Sequence, residues 1–141
     1  MARWMMESGN LADSAFVSPS VRTRQTFQIF QEQTGHSVKT EFPEDLYLPS
    51  PKTILSLTSK ASSSSDTLIV VAHNPGLHET VLELLMPSSL EIGHPLNAAY
   101  PTAAAAVITL PINAWTEIKW GIGMLKTYMD PKRLKHSLRE A

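Results

Sequence analysis

A histidine and an arginine are the side chains of this sequence best placed to do chemistry. His73 follows the apolar run 68–71, and Arg22 follows a shorter apolar run that ends at Val17. An arginine guanidinium is a planar fork that matches phosphate oxygens. An imidazole can donate a hydrogen bond to those oxygens, or transfer a proton near neutral pH. Together the two side chains predict an anion pocket with acid–base capacity, for which phosphate is the natural occupant.

The elements that carry His73 are a strand and the helix that follows it. Residues 68–71 are Leu-Ile-Val-Val, an uninterrupted apolar run that predicts a strand buried on both faces of a parallel sheet. Asn74 is a favoured N-cap and Pro75 fits the first helical position, so a helix should begin there. We therefore expect His73 at the carboxyl end of a buried strand, where open α/β sheets bind ligands and helix N-termini attract anions.

Arg22 lies in a segment with the same layout. A short strand over 13–17 is followed by a predicted helix over 20–33, which either Ser18 or Ser20 could cap. A cap at either serine places Arg22 in the first turn of that helix. If the two strands run parallel in one sheet, both functional side chains and both helix N-termini meet at one crevice.

Strand and helix patterns alternate along the whole chain, which is typical of an α/β fold with a mostly parallel sheet. Apolar spacing predicts further helices over 2–8, 50–57 and 76–86, strands over 38–42 and 103–110, an edge strand or hairpin within 118–129, and a short helix or frayed end from 131. No internal repeat or linker divides the chain, so we expect a single domain over residues 1–141.

Composition excludes several classes of function. The chain has 141 residues, 43% of them hydrophobic, and 12 Lys and Arg against 13 Asp and Glu, so no basic surface for nucleic acid is expected. The absence of cysteine excludes disulfides, thiolate catalysis and cysteine-ligated metals. No apolar run approaches the roughly 18 residues of a membrane span, and the N-terminus does not resemble a signal sequence. We expect a cytoplasmic protein that binds neither nucleic acid nor membrane.

Two motifs make the sequence recognisable. Residues 18–26, Ser-Pro-Ser-Val-Arg-Thr-Arg-Gln-Thr, resemble the Ser-Pro-x-x-Arg-x-x-Gln-Thr motif of the histidine phosphatase superfamily. Residues 70–77, Val-Val-Ala-His-Asn-Pro-Gly-Leu, are similar to the second histidine motif of that superfamily, in the form found in bacterial phosphohistidine phosphatases of the SixA type. Tyr-Pro-Thr-Ala-Ala at 100–104, Trp115 and Pro131 resemble the C-terminal half of that branch, so the resemblance covers almost the whole chain.

The resemblance implies a three-layer phosphoglycerate mutase-like fold and a reaction without metal or cofactor. In that reaction a first histidine attacks phosphorus, a phosphohistidine forms, and water hydrolyses it. At matching positions the resemblance implies that Arg22 binds the phosphate. It also implies that His73 is a catalytic residue, which balances the charge of the phosphoryl group in the transition state. Ser18 and Asn74 are expected to line the pocket. The implied substrate is a phosphorylated protein or a small phosphoester.

The nucleophilic histidine of the superfamily has no counterpart in this sequence. It belongs to an Arg-His-Gly or Arg-His-Ala motif that ends the first strand. The other histidines, which lie in no such motif, are His36, His78, His94 and His136. The chain also opens on an amphipathic helical pattern without an N-cap. We therefore expect an N-terminally truncated domain that lacks its first strand, with unpaired sheet edges and weak or no turnover by the chain as given.

Three interpretations are open at this point. The first is a phosphohistidine phosphatase-like hydrolase whose nucleophile lies upstream. The second is a pseudo-phosphatase, a binding module that uses Arg22 and His73 to hold a phosphorylated partner without turnover. The third is a nonfunctional fragment that does not complete its sheet.

The remaining titratable side chains suggest no further site. Glu44 and Asp45 are expected to be surface charges of a loop rather than a general acid. His36, His94 and His136 have no metal-ligand spacing around them, so we expect them on the surface. No Gly-x-Ser-x-Gly turn surrounds Ser18, so we expect Ser18 to cap the following helix rather than to act as a nucleophile.

Overall fold

The computed structural model describes the backbone of residues 1–140 and the side chains of residues 1–136. Within that range it has five α-helices and five strands: α1 (Ala2–Glu7), β1 (Ser14–Val17), α2 (Val21–Thr34), β2 (Lys39–Glu41), α3 (Pro51–Ser59), β3 (Leu68–Val71), α4 (Gly76–Leu84), β4 (Ala105–Thr109), β5 (Met124–Met129) and α5 (Pro131–Glu140). Short 3-10 turns lie in the connections, at Glu44–Leu46, Pro87–Ser89, Pro95–Asn97 and Trp115–Glu117.

A parallel sheet holds the two predicted strand ends side by side. β1 lies between β2 and β3, and all three strands run in the same direction. Ser14 is opposite Leu68 and Val17 is opposite Val71, so β1 and β3 end at the same level. The prediction of an α/β fold with a mostly parallel sheet is confirmed.

Helices cover this sheet on both faces, because successive side chains of a strand point in opposite directions. Ala15 and Val17 of β1 pack against Phe27 of α2 on one face. Phe16, between them in sequence, packs against Ile54 of α3 on the other face. α4 lies on the same side as α3 and packs against it. The result is the three-layer arrangement expected from the sequence.

The remaining two strands form a separate antiparallel pair. The strand predicted within 103–110 is present as β4, and its partner is β5, the edge strand expected within 118–129. Val81 and Leu85 at the end of α4 pack against this pair, in one buried cluster with Tyr128 of β5. α4 therefore connects the parallel sheet to the antiparallel pair.

β3 is less buried than its sequence predicted. All four residues of Leu68–Val71 are half-buried, and so are the first four residues of β4. The prediction of strands buried on both sides was wrong because, in the described chain, β3 pairs only with β1 and β4 only with β5. A β-branched run favours a strand but does not determine how many neighbours that strand has.

Serines cap two helices, and at α2 the cap is Ser20 rather than Ser18. The expectation that Ser18 acts as a cap was wrong, because its hydroxyl bonds to His73. The Ser20 hydroxyl accepts a hydrogen bond from the Thr23 backbone N–H at 3.3 Å, and Ser50 caps α3 in the same way. α4 differs, since it begins at Gly76 rather than at Asn74–Pro75, which are joined by a cis peptide bond. In residues 1–140, no helix has the length and apolar character required to cross a bilayer.

Candidate functional site

A hydrogen bond between Ser18 and His73 marks the carboxyl edge of the parallel sheet. Ser18 directly follows β1, and its backbone N–H donates to the Val71 carbonyl at 2.8 Å, which extends the pairing with β3 by one residue. The Ser18 hydroxyl oxygen lies 2.9 Å from Nε2 of His73. Ser18 is fully buried and His73 is half-buried. A buried hydroxyl thus holds the imidazole in place at the sheet edge, while part of the ring faces solvent.

Arg22 lies in the helix turn that starts beside this pair. It is the second residue of α2, whose N-cap Ser20 comes two positions after Ser18. Its backbone carbonyl accepts a hydrogen bond from the Thr26 hydroxyl at 2.9 Å, while its exposed guanidinium has no partner among the described side chains. The N-terminus of a helix is its positive end, so an unpaired arginine there disfavours the helix and favours an anion.

Asn74 connects the start of α4 to the loop that precedes β4. Its side-chain Nδ2 donates to the Tyr100 carbonyl at 2.7 Å, and its Oδ1 accepts from the His78 backbone N–H at 3.2 Å. His78 is the third residue of α4, so Asn74 satisfies a free N–H of the first turn although it lies outside the N-cap position. Both ends of its amide are therefore engaged with protein groups.

An aromatic side chain that the sequence did not predict lies beside His73. The Tyr47 ring lies edge-on to the imidazole, with the ring centres 6.4 Å apart, and Tyr47 is 57% exposed. It follows the turn Glu44–Leu46, which Leu46 anchors by its complete burial in the cluster beneath β1. Nothing in the local sequence signals this position, because it results from a contact between segments that are distant in the chain.

No acidic side chain in the described part of the chain hydrogen-bonds to or forms an ion pair with His73 or Arg22. Glu44 and Asp45 are exposed, in agreement with the expectation of surface charges. Neither hydrogen-bonds to His73 or Arg22. Among the side chains of residues 1–136, no group of three histidine, aspartate or glutamate residues is arranged to hold a metal ion.

Two histidines expected on the surface are in fact half-buried. Nε2 of His36 lies 2.9 Å from the Ala12 carbonyl oxygen, which precedes β1. Nδ1 of His94 accepts a hydrogen bond from the Leu96 N–H at 3.1 Å, and its ring packs edge-on against Tyr128. The prediction was wrong for both, because loop composition does not reveal which side chain folds back over the core.

Comparison with curated proteins yields two distant relatives. No protein-family profile matches this chain. The Mycobacterium tuberculosis proteins MT1313 and Rv1276c, both uncharacterized, are each 23% identical to it over 131 residues, which is 92% of this chain and 80% of theirs. These relatives add no functional information.

Solved structures show which fold the chain has. A candidate phosphohistidine phosphatase SixA from Nakamurella multipartitia aligns with a TM-score of 0.74 and 22% identity, over 92% of this chain and 77% of its own. The corresponding protein from Agrobacterium tumefaciens aligns with a TM-score of 0.74 and 21% identity, over 92% and 75%. A protein histidine phosphatase SixA complexed with tungstate aligns with a TM-score of 0.72 and 21% identity, over 94% and 78%. The chain therefore has the α/β fold of these SixA proteins.

Proposed function

We propose that this chain forms the phosphate-binding part of a histidine phosphatase-type site that acts on phosphohistidine or on a small phosphomonoester. One observation carries the proposal: Ser18 and His73 are hydrogen-bonded at the ends of neighbouring parallel strands, with Arg22 in the helix turn that starts beside them. A guanidinium, an imidazole and a helix N-terminus bring donors and positive charge to one sheet edge. The likeness to SixA structures supports a phosphoryl group as the anion.

Each side chain has a distinct role in this proposal. Arg22 binds phosphoryl oxygens through its planar fork, as arginine does at phosphate sites generally. Since Nε2 of His73 is engaged by Ser18, Nδ1 is the ring nitrogen left to donate to the anion. Ser18 is a positioning residue, because its hydroxyl can donate to or accept from Nε2 and so holds the ring in either protonation state. A protonated His73 balances charge that develops on the phosphoryl group.

We expect weak or no turnover from these 141 residues alone. The reaction that the motifs imply needs a second histidine as nucleophile, at the same sheet edge. His36 and His78 are each hydrogen-bonded to a backbone carbonyl of another segment, and His94 accepts a hydrogen bond from the Leu96 backbone N–H in its own turn. In this proposal the nucleophile therefore comes from a segment that these residues do not include, and no metal or cofactor takes part.

A pseudo-phosphatase that binds a phosphorylated protein is the second candidate function. These 141 residues contain no Arg-His-Gly or Arg-His-Ala motif, and binding without turnover needs none. The Tyr47 ring, which is 57% exposed and edge-on to His73, offers an apolar surface to a protein partner. For this second function we propose a phosphorylated protein of the cytoplasm as the natural partner.

Phosphate release from a histidine-phosphorylated protein separates the two functions. A phosphorylated histidine phosphotransfer domain is incubated with the full chain, and loss of phosphohistidine is followed by phosphorus NMR. If the chain keeps phosphatase activity, these 141 residues give a weak release of phosphate above spontaneous hydrolysis, and His73→Ala abolishes that excess. A binding module forms a complex that Arg22→Ala weakens, while release stays at the spontaneous rate. The absence of both release and binding would reject both functions.

A further inference from the structure

The chain segment that follows β2 reaches the candidate site from across the sheet. β2 runs parallel to β1, with Glu41 opposite Phe16, so this segment leaves the sheet at the same carboxyl edge that holds the site. In the sheet, β1 lies between β2 and β3. The segment nevertheless brings Tyr47 to His73, which follows β3, with the two ring centres 6.4 Å apart. It therefore crosses from β2 past the end of β1.

Two buried residues hold the backbone of Tyr47 and Leu48 in place. Leu46, which precedes them, is completely buried in the cluster beneath β1. Pro49, which follows them, is also buried, and its carbonyl oxygen lies so close to Gly76 of α4 that a Cβ on that glycine would overlap it. The two residues between these anchors are therefore fixed in position, although their side chains are exposed.

The Tyr47 side chain keeps most of its surface free. It is 57% exposed, and its hydroxyl forms no hydrogen bond with the described residues. Among those residues its ring contacts one other ring, the imidazole of His73, at an interplanar angle of 62°. A tyrosine that serves the core buries its ring and usually pairs its hydroxyl. Core packing therefore does not account for Tyr47, and free ring surface remains for a ligand next to His73.

A ring that is joined to a phosphoryl group at His73 lies within reach of Tyr47. In phosphohistidine the phosphorus is bonded directly to a ring nitrogen, and in an aryl phosphate a single oxygen separates the two. Aromatic rings attract each other at centre-to-centre distances of about 4.5–7 Å. Since the ring centres of Tyr47 and His73 are 6.4 Å apart, a ligand ring on a phosphoryl group at His73 comes into this range.

The exposed side chains of this segment match a planar ring better than a sugar or an alkyl group. Tyr47 and Leu48 offer an aromatic ring, an aliphatic chain and one hydroxyl. A sugar phosphate has several hydroxyls, and those that lose water without gaining a partner reduce the affinity. An alkyl group gains only from the burial of its surface, whereas a ring also gains the attraction between aromatic systems.

We propose that Tyr47 is a specificity-determining residue, which contacts a planar aromatic ring joined to the phosphoryl group and so favours such ligands over aliphatic phosphates. The inference rests on the proposed function, because it needs the anion to be held by Arg22 and His73. The ring can be the imidazole of a phosphohistidine or the phenol of an aryl phosphate, which share this chemistry.

Phosphonates test this inference in the full chain, because their phosphorus–carbon bond is not hydrolysed and no turnover is needed. Phenylphosphonate, cyclohexylphosphonate and methylphosphonate are each titrated calorimetrically. The first two have rings of similar size, of which only one is planar and aromatic. We expect phenylphosphonate to bind about fivefold more tightly than cyclohexylphosphonate, which is the contribution of one aromatic contact.

Three variants assign this preference to the ring of Tyr47. Tyr47→Ala should bind phenylphosphonate and cyclohexylphosphonate equally and keep the affinity of the wild type for methylphosphonate. Tyr47→Phe should retain the preference, since the ring rather than the hydroxyl makes the contact. Leu48→Ala is the matched control, because it removes the neighbouring exposed side chain, which makes no ring contact with His73, and it should also retain the preference. Any difference in acidity between the ligands is the same for every variant and cancels in this comparison.

A fourth ligand distinguishes the two sources of the ring. Pyrazol-4-ylphosphonate carries a five-membered ring, as phosphohistidine does. Tighter binding of this ligand than of phenylphosphonate would support phosphohistidine as the source, and the reverse would support an aryl phosphate.

Several results would overturn the inference. Equal binding of all three phosphonates by the wild type would reject it and leave the phosphate site intact. A preference that persists in Tyr47→Ala, or that Leu48→Ala removes equally, would show that Tyr47 does not select the ligand. Loss of methylphosphonate binding in Tyr47→Ala would show that the ring only supports His73. Failure of the wild type to bind any phosphonate would reject the proposed phosphate site and, with it, the role of Tyr47.

Discussion

Ser18 and His73 are 55 positions apart in sequence, yet the Ser18 hydroxyl lies 2.9 Å from Nε2 of the imidazole. The contact exists because β1 and β3 are parallel neighbours that end at the same level, so the residues after them meet. It fixes one ring nitrogen of His73 and leaves the other for a ligand. A hydrogen bond between a buried hydroxyl and a half-buried imidazole thus fixes the position of His73 in the candidate site.

Removal of the Ser18 hydroxyl should lower the affinity for an anion by more than the accompanying loss of unfolding free energy explains. Ser18→Ala removes a buried partner of His73, which should cost about 1 kcal/mol of unfolding free energy, and it also releases the ring. Ser50→Ala is the matched control, since it removes the α3 cap at a similar cost of about 1 kcal/mol without touching His73 or α2. Urea denaturation and tungstate titration measure the two effects. We expect a several-fold loss of affinity in Ser18→Ala only, and equal losses in both variants would show that Ser18 has no specific role.

The sequence predicted the positions of these residues because the signals were local. Ser20 caps α2, one of the two alternatives left open, since capping depends on a few adjacent residues. The parallel direction of β1 and β3 agrees with the rule that alternating strands and helices form parallel sheets, but their pairing was a condition of the prediction and not a part of it. Local patterns therefore placed Ser18, Arg22 and His73 after strand ends, and the pairing of the strands brings them to one edge.

What the sequence did not predict depends on contacts between distant segments. Tyr47 reaches His73 only because Leu46 is anchored beneath β1, and no local pattern reports that. The partial burial of β3 depends on how many strands surround it, which its own residues do not determine. The start of α4 at Gly76 rather than Asn74 reflects a side chain held by Tyr100, 26 positions away.

A methyl group at Gly76 should destabilise the protein, although alanine is the better helix former. A Cβ at this position would overlap the backbone carbonyl oxygen of Pro49, in the loop that leads into α3. Backbone atoms cannot yield as a flexible side chain does, so Gly76→Ala should lower the unfolding free energy by about 3 kcal/mol. Glu83→Ala, at an exposed position of the same helix, is the control and should change it by less than about 0.5 kcal/mol. Urea denaturation compares them, and an unchanged midpoint in Gly76→Ala would contradict the close approach of α4 to this loop.

The acid stability of the protein should depend on Asp130. Burial alone would raise the pKa of this carboxyl, but hydrogen bonds from the Arg133 backbone N–H at 2.8 Å and the Tyr128 hydroxyl at 2.7 Å outweigh it and hold the pKa below its ordinary value. A carboxyl with a lowered pKa in the folded state contributes stability above its unfolded pKa of about 3.9. That contribution is lost as the pH falls through the folded pKa.

Asp130→Asn should therefore reduce the dependence of the unfolding free energy on pH under acidic conditions. At pH 7 we expect a loss of about 1 kcal/mol, because the Tyr128 hydroxyl loses a charged acceptor. As the pH falls below about 4, the unfolding free energy of the variant should decrease less than that of the wild type. Asp45→Asn, at an exposed position without a hydrogen-bond partner among the described residues, should follow the wild-type profile. Parallel profiles for the wild type and Asp130→Asn in urea denaturation would refute this role.

Calorimetric titration of tungstate, an analogue of phosphate, tests the central claim most directly. The full chain should bind it, and Arg22→Ala should weaken binding at least tenfold, which corresponds to about 1.4 kcal/mol. Arg24→Ala provides the control, since Arg24 lies on the same helix but stacks on the Phe42 ring with its guanidinium carbon 4.7 Å from the ring centre. We predict wild-type affinity for that variant. Equal affinities for the wild type and Arg22→Ala, or no binding of tungstate by the wild type, would contradict the account of this sheet edge as a phosphate site.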